Sequence, residues 1–368
     1  MADDLTPTIE LSTTRVPDDE RAALIADPGF GRTFTDHMVT ATWTNGQGWH
    51  SAAVRPYGPL QLDPATSVLH YGQAIFEGFK AYGHADGSVF TFRPEANAAR
   101  FQRSAARMAL PKLPAEAFVA LADELIRTDR AWVPTGGEKS LYLRPFMLGT
   151  EVGLGVRPSA EATFVVIASP AGAYFAGGLK PVSIWLSEEF SRAAQGGTGA
   201  AKCAGNYAAS LIAQQEAIAN GCDQVAFVDS VERRWVEELG GMNLFFVYDD
   251  GSLVTPELTG SILEGVTRDA ILTLAGEMGH KVEERRLDID EWREGVASGR
   301  IAEVFACGTA AVVTPVGRLR WRGGEVSTGT AATGEADTGP VTEAVRAALL
   351  DVQLGRAEDT HGWLHRVC

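Results

Sequence analysis

Lys202 is the residue of this chain whose surroundings most strongly indicate chemistry. It lies in Gly196–Tyr207, which reads GGTGAAKCAGNY and consists mostly of small residues. A lysine with few neighbours to solvate its ammonium shifts towards the neutral amine, and that amine is a nucleophile that forms Schiff bases with aldehydes. On this stretch alone a flexible loop lysine is an equal alternative. The other lysines are predicted to be solvated, at element ends or in loops: Lys80, Lys112, Lys139, Lys180 and Lys281.

Size and composition predict a soluble cytoplasmic protein of two domains. The 368 residues suffice for two domains of ordinary size, and 45% of them are apolar. No apolar run is long enough to span a bilayer, and the start, MADDLTPTIE, does not read as a signal peptide. The net charge of −15 argues against nucleic acid or an anionic membrane as a partner.

The cysteines and histidines predict neither disulfides nor a metal site. The four cysteines form no C-x-x-C pair, which is typical of a reducing compartment. His361 and His365 have the i, i+4 spacing of metal ligands, but no third ligand is near in sequence, so we expect a solvated C-terminal segment. Cys203, beside Lys202, is expected to be a small core residue.

Two glycine-containing segments invite a nucleotide-binding interpretation and do not support it. Gly197–Lys202 resembles a P-loop, but Ala201 precedes the lysine and Cys203 follows it, so the Gly-Lys-Ser/Thr ending is missing. Gly153–Gly155 is too short for a dinucleotide fingerprint.

The order of predicted elements indicates a mixed α/β chain. Residues 1–168 are predicted to form an N-terminal α/β domain, the Gly- and Pro-rich residues 169–181 a linker, and residues 182–368 a second α/β domain that carries Lys202. Two such domains place a ligand in the cleft between them. The predicted helices cover 94–109, 115–131, 205–219, 261–279, 289–298 and 341–350, and the predicted strands 79–84, 89–92, 140–146, 162–168, 182–187, 224–229, 243–248 and 301–306.

Pyridoxal phosphate is an aldehyde whose needs can be compared with the sequence. Its phosphate needs amides at a helix start, hydroxyls and an arginine, and its ring nitrogen needs a buried acid. Gly265–Thr267 and Gly308–Ala310 offer amides and hydroxyls. Glu237 and Glu238 offer the acid, and alternation along an extended segment points one inward and the other outward. Each assignment has an ordinary structural alternative, namely helix capping or a solvated acidic face.

Taken together and in order, the motifs resemble branched-chain amino-acid aminotransferases of the fold-type-IV pyridoxal-phosphate family. The resemblance extends from Phe34 to Pro315. It implies the two-domain fold of that family, with the cofactor in the interdomain cleft. The motifs that carry it are His70–Gly78 (HYGQAIFEG), Leu141–Pro145, Gly149–Glu151, Gly196–Tyr207, Glu238–Gly240 with Met242 and Asn243, and Gly265–Arg268.

The resemblance implies a role for each residue that matches a cofactor contact. Lys202 would bind the cofactor aldehyde covalently and then move the substrate proton, and Tyr207 would hydrogen-bond the phenolic oxygen. Glu238, five residues before Asn243, would pair with the ring nitrogen, in preference to Glu237. The phosphate contacts would be Arg100, Val266, Thr267 and Thr309.

The resemblance also implies a substrate pocket completed by a second subunit of a homodimer. Arg144 and Tyr142 would lie near the carboxylate end of the pocket. Backbone amides of Thr309, Ala310 and Ala311 would hold the α-carboxylate. The apolar wall would consist of Phe30, Tyr71, Phe76 and Tyr174, with Leu154 and Val156 from the partner subunit.

The implied reaction is ping-pong transfer of an amino group from L-leucine, L-isoleucine or L-valine to 2-oxoglutarate. A D-amino-acid transaminase, an aminodeoxychorismate lyase and a non-catalytic pyridoxal-phosphate carrier are the alternatives. The blocks from Tyr71 to Gly78 and from Tyr142 to Pro145 favour branched-chain substrates. Some vertebrate relatives carry a redox C-x-x-C where this chain has Ala311 and Thr314, so no thiol switch of that kind is expected.

Overall fold

The computed structural model describes residues 5–172, 180–328 and 338–368. The predicted pocket residue Tyr174 lies outside them. Two compact units divide the chain. The first spans Met1–Ala176, Ala201–Ala204 and Asp351–Cys368, and the second spans Gly177–Ala200 and Gly205–Leu350.

The elements of the first part of the chain are mostly strands, with two long helices among them. They are β1 (Thr8–Ile9), α1 (Asp18–Ala26), β2 (His37–Thr44), β3 (Gly48–Pro56), α2 (Ser67–Tyr71), β4 (Ala74–Phe76), β5 (Phe79–Gly83), β6 (Val89–Phe92), α3 (Pro94–Arg107), α4 (Ala115–Thr128), a 3₁₀ turn (Arg130–Trp132), β7 (Ser140–Gly149) and β8 (Glu161–Ala171).

The rest of the chain alternates strands and helices. Its elements are β9 (Val182–Ser187), α5 (Ala204–Ala219), β10 (Gln224–Val228), β11 (Val236–Leu239), β12 (Asn243–Tyr248), β13 (Leu253–Pro256), α6 (Val266–Glu277), β14 (Val282–Arg285), α7 (Ile289–Ser298), β15 (Ile301–Gly308), β16 (Val312–Trp321), β17 (Gly324–Ser327), α8 (Pro340–Gln353) and β18 (Leu364–Arg366).

The first unit is built on one largely antiparallel sheet with the order β1-β3-β2-β8-β7-β5-β6-β18, and β4 pairs with β7. Helix α3 begins with Pro94 at its first turn, where the missing amide hydrogen removes no helical hydrogen bond. Helices α3 and α4 bury an aromatic cluster against this sheet, in which Phe101, Phe118 and Phe164 contact one another.

The second unit is built on a mixed sheet with the order β11-β10-β9-β16-β15-β12-β13-β14, and β17 pairs with β16. Strands β15 and β12 lie at its centre, where Phe245 and Phe305 stack with ring centroids 5.0 Å apart. Helix α7 is capped by Asp288, whose side chain accepts from the amide of Asp290, and by Gly299, which is in the left-handed conformation.

Many of the predicted elements are confirmed. The hairpin of β5 and β6, the strands β9 and β12 and the helix α7 lie within a residue of their predicted bounds. Helix α6 begins at Val266, five residues later than predicted. The preceding segment is held by side-chain contacts of Ser261 with Glu237 and Thr259, and Gly265 is still extended.

The division of the chain differs from the single boundary expected from sequence. Strand β18 pairs antiparallel with β6, so the C-terminal residues belong to the first sheet although they were expected in the second domain. The reason is that the edge strand β6 offers backbone hydrogen-bonding groups that β18 satisfies. Among the described residues, no helix is long and apolar enough to cross a membrane.

Candidate functional site

The predicted site residues fall into two sets, one in each compact unit. Lys202 belongs to the first unit and not to the second domain, in which it was expected, because residues 201–204 pack with the first unit. Its amide donates to Ser104 Oγ at 2.9 Å, and its carbonyl accepts from the amide of Phe76 at 3.0 Å. A bridge between Ile75 and Cys203 continues this pairing with β4. These contacts anchor the backbone of Lys202 to α3 and to β4.

The Lys202 side chain is half-buried, with Nζ 4.9 Å from the ring centroid of Phe76. Its neighbour Cys203 is buried in the hydrophobic core of the first unit, as expected for a small core residue. Lys80 corrects the sequence interpretation, because it is 4% exposed on β5 rather than solvated.

Arg100, the predicted phosphate ligand, is buried on α3 and bound by a carboxylate that the sequence analysis did not select. Glu77 accepts from Arg100 Nε at 2.7 Å and from Nη2 at 2.8 Å. Its Oε2 also accepts from Asn97 Nδ2 at 2.8 Å and from the amide of Gly78. Burial raises the pKa of Glu77, but the charge and hydrogen bonds of Arg100, with a contribution from Lys202, outweigh it and hold the pKa below 4.5.

The aromatic and cationic residues predicted near the substrate form one cluster in the first unit. Arg144 Nη2 donates to the Tyr142 hydroxyl at 3.1 Å, and its guanidinium lies 4.9 Å from the ring centroid of Phe76. Phe30 packs edge-on against Tyr142 at 5.2 Å. Gly78 permits this arrangement, because a β-carbon there would lie 1.9 Å from the Tyr142 hydroxyl oxygen.

Three predicted pocket residues are exposed. Tyr71 ends the short helix α2, and its hydroxyl donates to the carbonyl of Leu154 at 2.5 Å. The side chains of Leu154 and Val156 are 68% and 84% exposed. These two side chains therefore face solvent in this chain.

In the second unit, Glu238 lies on β11 with both carboxylate oxygens engaged. Oε1 is 2.6 Å from Arg192 Nη2 and 2.8 Å from the amide nitrogen of Leu263, which donates to it. Asn243 Nδ2 donates to Oε2 at 3.5 Å and to the carbonyl of Leu263 at 3.0 Å. Glu238 is 2% exposed, so this carboxylate has the burial expected of an acid that binds a ring nitrogen.

Glu237 corrects the expectation that one glutamate of the pair points outward. It is 5% exposed, and its Oε1 accepts from the hydroxyl of Ser261. Oε2 has no hydrogen-bond partner among the described residues, and burial raises the pKa of this carboxyl. Alternation along β11 does place the two side chains in different surroundings, but both faces of the strand are covered.

The helix start predicted to bind phosphate is present at α6. Its N-cap is Gly265, which has no side chain to cap the first amides, and Val266 and Thr267 form the first turn. A β-carbon at position 265 would lie 2.1 Å from Asn243 Oδ1, so glycine is required for close packing there. An uncapped helix start of this kind suits an anion.

Thr309, Ala310 and Ala311 form the tight turn between β15 and β16. Val312 follows with φ +60°, a strained conformation for a β-branched residue. Strain of this kind concentrates at functional sites, where the surrounding structure holds the backbone in place.

Tyr207 lies half-buried in the first turn of α5. It follows a loop that is closed by hydrogen bonds of 2.6 and 2.7 Å between Thr198 and Asn206.

Glu77, Arg192 and Asn243 contact predicted site residues but were not themselves predicted as parts of the candidate site. Glu77 and Asn243 lie inside the motifs that carry the resemblance, so motif membership was the available signal. Arg192 lies in SEEFSRAAQ, which has no distinguishing pattern.

The C-terminal histidines were expected in a solvated segment, but both contact other side chains. His365 lies on β18, with Nε2 2.8 Å from Asp123 Oδ2. His361 stacks on Trp363 with ring centroids 4.3 Å apart. Within the described ranges, no group of three His, Cys, Asp or Glu side chains is arranged to hold a metal ion.

Comparison with known proteins identifies similar enzymes along nearly the whole chain. The chain is 60% identical to the probable branched-chain-amino-acid aminotransferase of Streptomyces coelicolor, over 98% of this chain and 99% of that protein. It is 57% identical to the branched-chain-amino-acid aminotransferase of Mycolicibacterium smegmatis, over 98% of each.

A solved structure supports the same grouping. The T.th. branched-chain amino acid aminotransferase complexed with N-(5'-phosphopyridoxyl)-L-glutamate is 31% identical, with a TM-score of 0.72, over 89% of this chain and 98% of that one. The predicted mixed α/β fold is thereby confirmed. The family model for amino-transferase class IV matches residues 74–319. The chain therefore belongs to the class IV amino-transferase family.

Proposed function

We propose that this protein is a branched-chain-amino-acid aminotransferase that uses pyridoxal 5'-phosphate. The observation that carries the proposal is the 60% identity to a probable enzyme of this activity over 98% of the chain. The cofactor is supported by the solved relative that binds a phosphopyridoxyl conjugate of glutamate.

The residues present fit this cofactor. A lysine amine, a buried carboxylate, a buried arginine and a helix start without a side-chain cap are the donors and acceptors that an aldehyde, a pyridine nitrogen and a phosphate require. When bound, pyridoxal phosphate supplies an electron sink that stabilises negative charge at the α-carbon of an amino acid.

Lys202 is proposed as the catalytic residue. Its amine would hold the cofactor through the aldehyde and, once a substrate amine has taken its place, would act as the base that accepts the proton of the substrate α-carbon. The same amine, then protonated, would serve as the acid that gives this proton up again in the second transfer. Fixation of the Lys202 backbone by Ser104 and Phe76 keeps the amine within reach for both transfers.

The remaining cofactor contacts are proposed residue by residue. Glu238 binds the ring nitrogen and keeps a proton on it. Tyr207 hydrogen-bonds the phenolic oxygen. The phosphate is held by Arg100, Val266, Thr267 and Thr309, which together provide positive charge, hydroxyls and amides.

The substrate pocket is proposed to combine an apolar wall with donors at its edge. Phe30, Tyr71, Phe76 and Tyr174, with Leu154 and Val156 of the partner subunit, pack against a branched side chain. Tyr142 and Arg144 serve the carboxylate end, and the amides of Thr309, Ala310 and Ala311 hold the α-carboxylate. Such a pocket accepts both an isopropyl group and the γ-carboxylate of 2-oxoglutarate, because the carboxylate reaches the donors at the edge.

The proposed assembly is a homodimer in the cytoplasm. The exposed Leu154 and Val156 support the dimer, since a second subunit would cover them. The described cysteines are all free, which agrees with a reducing compartment.

The test is a product assay on the purified holoenzyme. L-Leucine with 2-oxoglutarate should give L-glutamate and the 2-oxo acid of leucine. D-Alanine should give less than about a hundredth of that rate, since the pocket is proposed for L-substrates, and an aminodeoxychorismate substrate should release no pyruvate. Lys202→Ala should abolish turnover, whereas Lys281→Ala, at a solvated lysine paired with Glu283, should not. Turnover of D-alanine alone, or wild-type turnover by Lys202→Ala, contradicts the proposal.

A further inference from the structure

Arg192 is a buried arginine whose guanidinium is fixed by several oxygens of the second unit. Besides its 2.6 Å contact with Glu238 Oε1, Nη2 donates to the carbonyls of Gly199 at 2.9 Å and Ser261 at 2.6 Å. Gly199 allows this approach, since a β-carbon there would lie 2.2 Å from the carbonyl oxygen of Ser261. The arginine is therefore held in one orientation by the loops on either side of it.

Three other titratable groups of this unit, Cys307, Arg268 and Glu237, do not supply the same charge. Burial raises the pKa of the Cys307 thiol to about 12, so this neighbour of Glu238 stays neutral. Arg268 is committed to Glu284, with Nη2 2.7 Å from Oε2. Glu237 is an acid and therefore cannot supply a positive charge. Arg192 is thus a cation in direct contact with the Glu238 carboxylate.

We propose that Arg192 is a positioning residue that keeps Glu238 ionised, so that the proton shared by Glu238 and the cofactor ring nitrogen stays on the nitrogen. This inference rests on the proposed function, in which Glu238 binds that nitrogen.

The hydrogen bond between Glu238 and the ring nitrogen can exist in two protonation forms. A carboxylate with a protonated ring nitrogen carries two charges, and a carboxylic acid with an unprotonated nitrogen carries none. A buried environment of low polarity favours the neutral form, because both charges have lost their hydration. A guanidinium against the carboxylate reverses this preference, since an opposite charge in contact favours the ionised acid.

Arginine suits this task better than lysine. It stays charged at any pH the protein meets, and its delocalised charge remains beside the carboxylate while Nη2 donates to two carbonyls. The amide of Leu263 reinforces the effect at the same oxygen, because a hydrogen bond from a backbone amide also favours the carboxylate.

The experiment measures the proton on the ring nitrogen directly. Wild-type, Arg192→Gln and Arg192→Lys apoproteins are reconstituted with ¹⁵N-labelled pyridoxal phosphate, and the ¹⁵N chemical shift reports whether the nitrogen is protonated. Arg285→Gln is the matched control, because Arg285 pairs with Glu291 in the same unit but lies outside the proposed site. Arg192→Met is the second neutral variant if Arg192→Gln does not fold.

We expect a protonated nitrogen in wild type, in Arg285→Gln and, through retained charge, in Arg192→Lys. In Arg192→Gln or Arg192→Met the ratio of protonated to unprotonated nitrogen should fall about ten- to a thousandfold, because a contacting opposite charge shifts a carboxyl pKa by about 1–3 units. A folded neutral variant with a nitrogen as protonated as in wild type overturns the inference. Wild type that binds no cofactor, or binds it without turning over leucine, contradicts the proposed function instead.

Discussion

Glu77 binds the Arg100 guanidinium through both of its carboxylate oxygens, at 2.7 and 2.8 Å, and both side chains are buried. The pair joins the segment after β4 to helix α3 within the first unit. If Arg100 binds the cofactor phosphate as proposed, Glu77 fixes the orientation in which it does so. Bidentate pairing of this kind defines the plane of the guanidinium as well as its position.

Removal of this carboxylate is predicted to destabilise the protein and weaken cofactor binding. Glu77→Gln leaves the Arg100 charge buried without its partner, which typically costs about 3–5 kcal/mol. Urea unfolding of the apoprotein measures that loss, and fluorescence titration with pyridoxal phosphate should show at least about tenfold weaker binding, as expected when a charge-assisted contact is misplaced. Glu257→Gln, which breaks an exposed pair with Arg286, should cost no more than about 1 kcal/mol. Equal losses of unfolding free energy in the two variants would show that the buried Glu77–Arg100 pair stabilises the protein no more than an exposed pair does.

The contribution of Glu77 to stability is predicted to depend on pH. Its pKa is held below 4.5 in the folded protein, so the unfolded chain binds the proton more readily. The stabilisation is therefore complete above the unfolded pKa and is lost as the pH falls through the folded value. Unfolding free energies of wild type and Glu77→Gln should differ most at neutral pH, and the difference should shrink as the pH is lowered into the acidic range, where the carboxyl becomes protonated in the folded protein as well. A difference in unfolding free energy that stays constant across this pH range would show that the charge of Glu77 does not stabilise the fold.

Gly78 is predicted to be intolerant of even a methyl group. An alanine β-carbon would lie 1.9 Å from the Tyr142 hydroxyl oxygen, so the ring must move and its hydrogen bond with Arg144 must break. A displacement of about 1 Å at a substrate contact can lower kcat/KM about a hundredfold, and we expect a loss of this order for leucine. Gly58→Ala, where no atom lies within 4 Å of the added carbon, is the control. Unchanged kcat/KM in Gly78→Ala would remove Tyr142 from the proposed pocket.

Gly265→Ala is predicted to disturb the acid and the helix start together. The added carbon would meet Asn243 Oδ1 at 2.1 Å, and Asn243 also contacts Glu238. Weaker binding of pyridoxal phosphate, by at least about tenfold, is expected from the loss of one or two such contacts. In the same helix, Gly276→Ala meets no neighbouring atom and should leave binding unchanged while stabilising α6 by up to about 1 kcal/mol. Similar affinities for the two variants would contradict the packing argument.

The sequence predicted elements that local signals define. Asp288 and Gly299 mark both ends of α7, and β9 is a short apolar run bounded by Pro181 and charged residues. The hairpin of β2 and β3 was missed, although Asn45–Gly46 is a turn signal between two runs of strand-forming residues. The turn signal for this hairpin was therefore present in the sequence.

Other features depend on contacts between distant parts of the chain and could not be read locally. Lys80 is buried on β5, an inner strand between β7 and β6, and Glu237 is buried on β11, where its carboxylate accepts from the Ser261 hydroxyl. Arg192 is brought to Glu238 from 46 positions earlier in the chain, at a site with no motif of its own. The type of chemistry was therefore predictable from the ordered set of motifs that carry the family resemblance, whereas the residues that hold the acids and the arginine in place required the fold.

The most direct test of the central claim is the absorbance of the purified holoenzyme before and after addition of L-leucine, without any 2-oxo acid. We predict that the band of the bound pyridoxal form converts to that of the pyridoxamine form with L-leucine, that D-alanine in a separate sample produces no such change, and that Lys202→Ala does not convert under the same conditions. A band that ignores L-leucine, or one that responds only to D-alanine, would contradict the account.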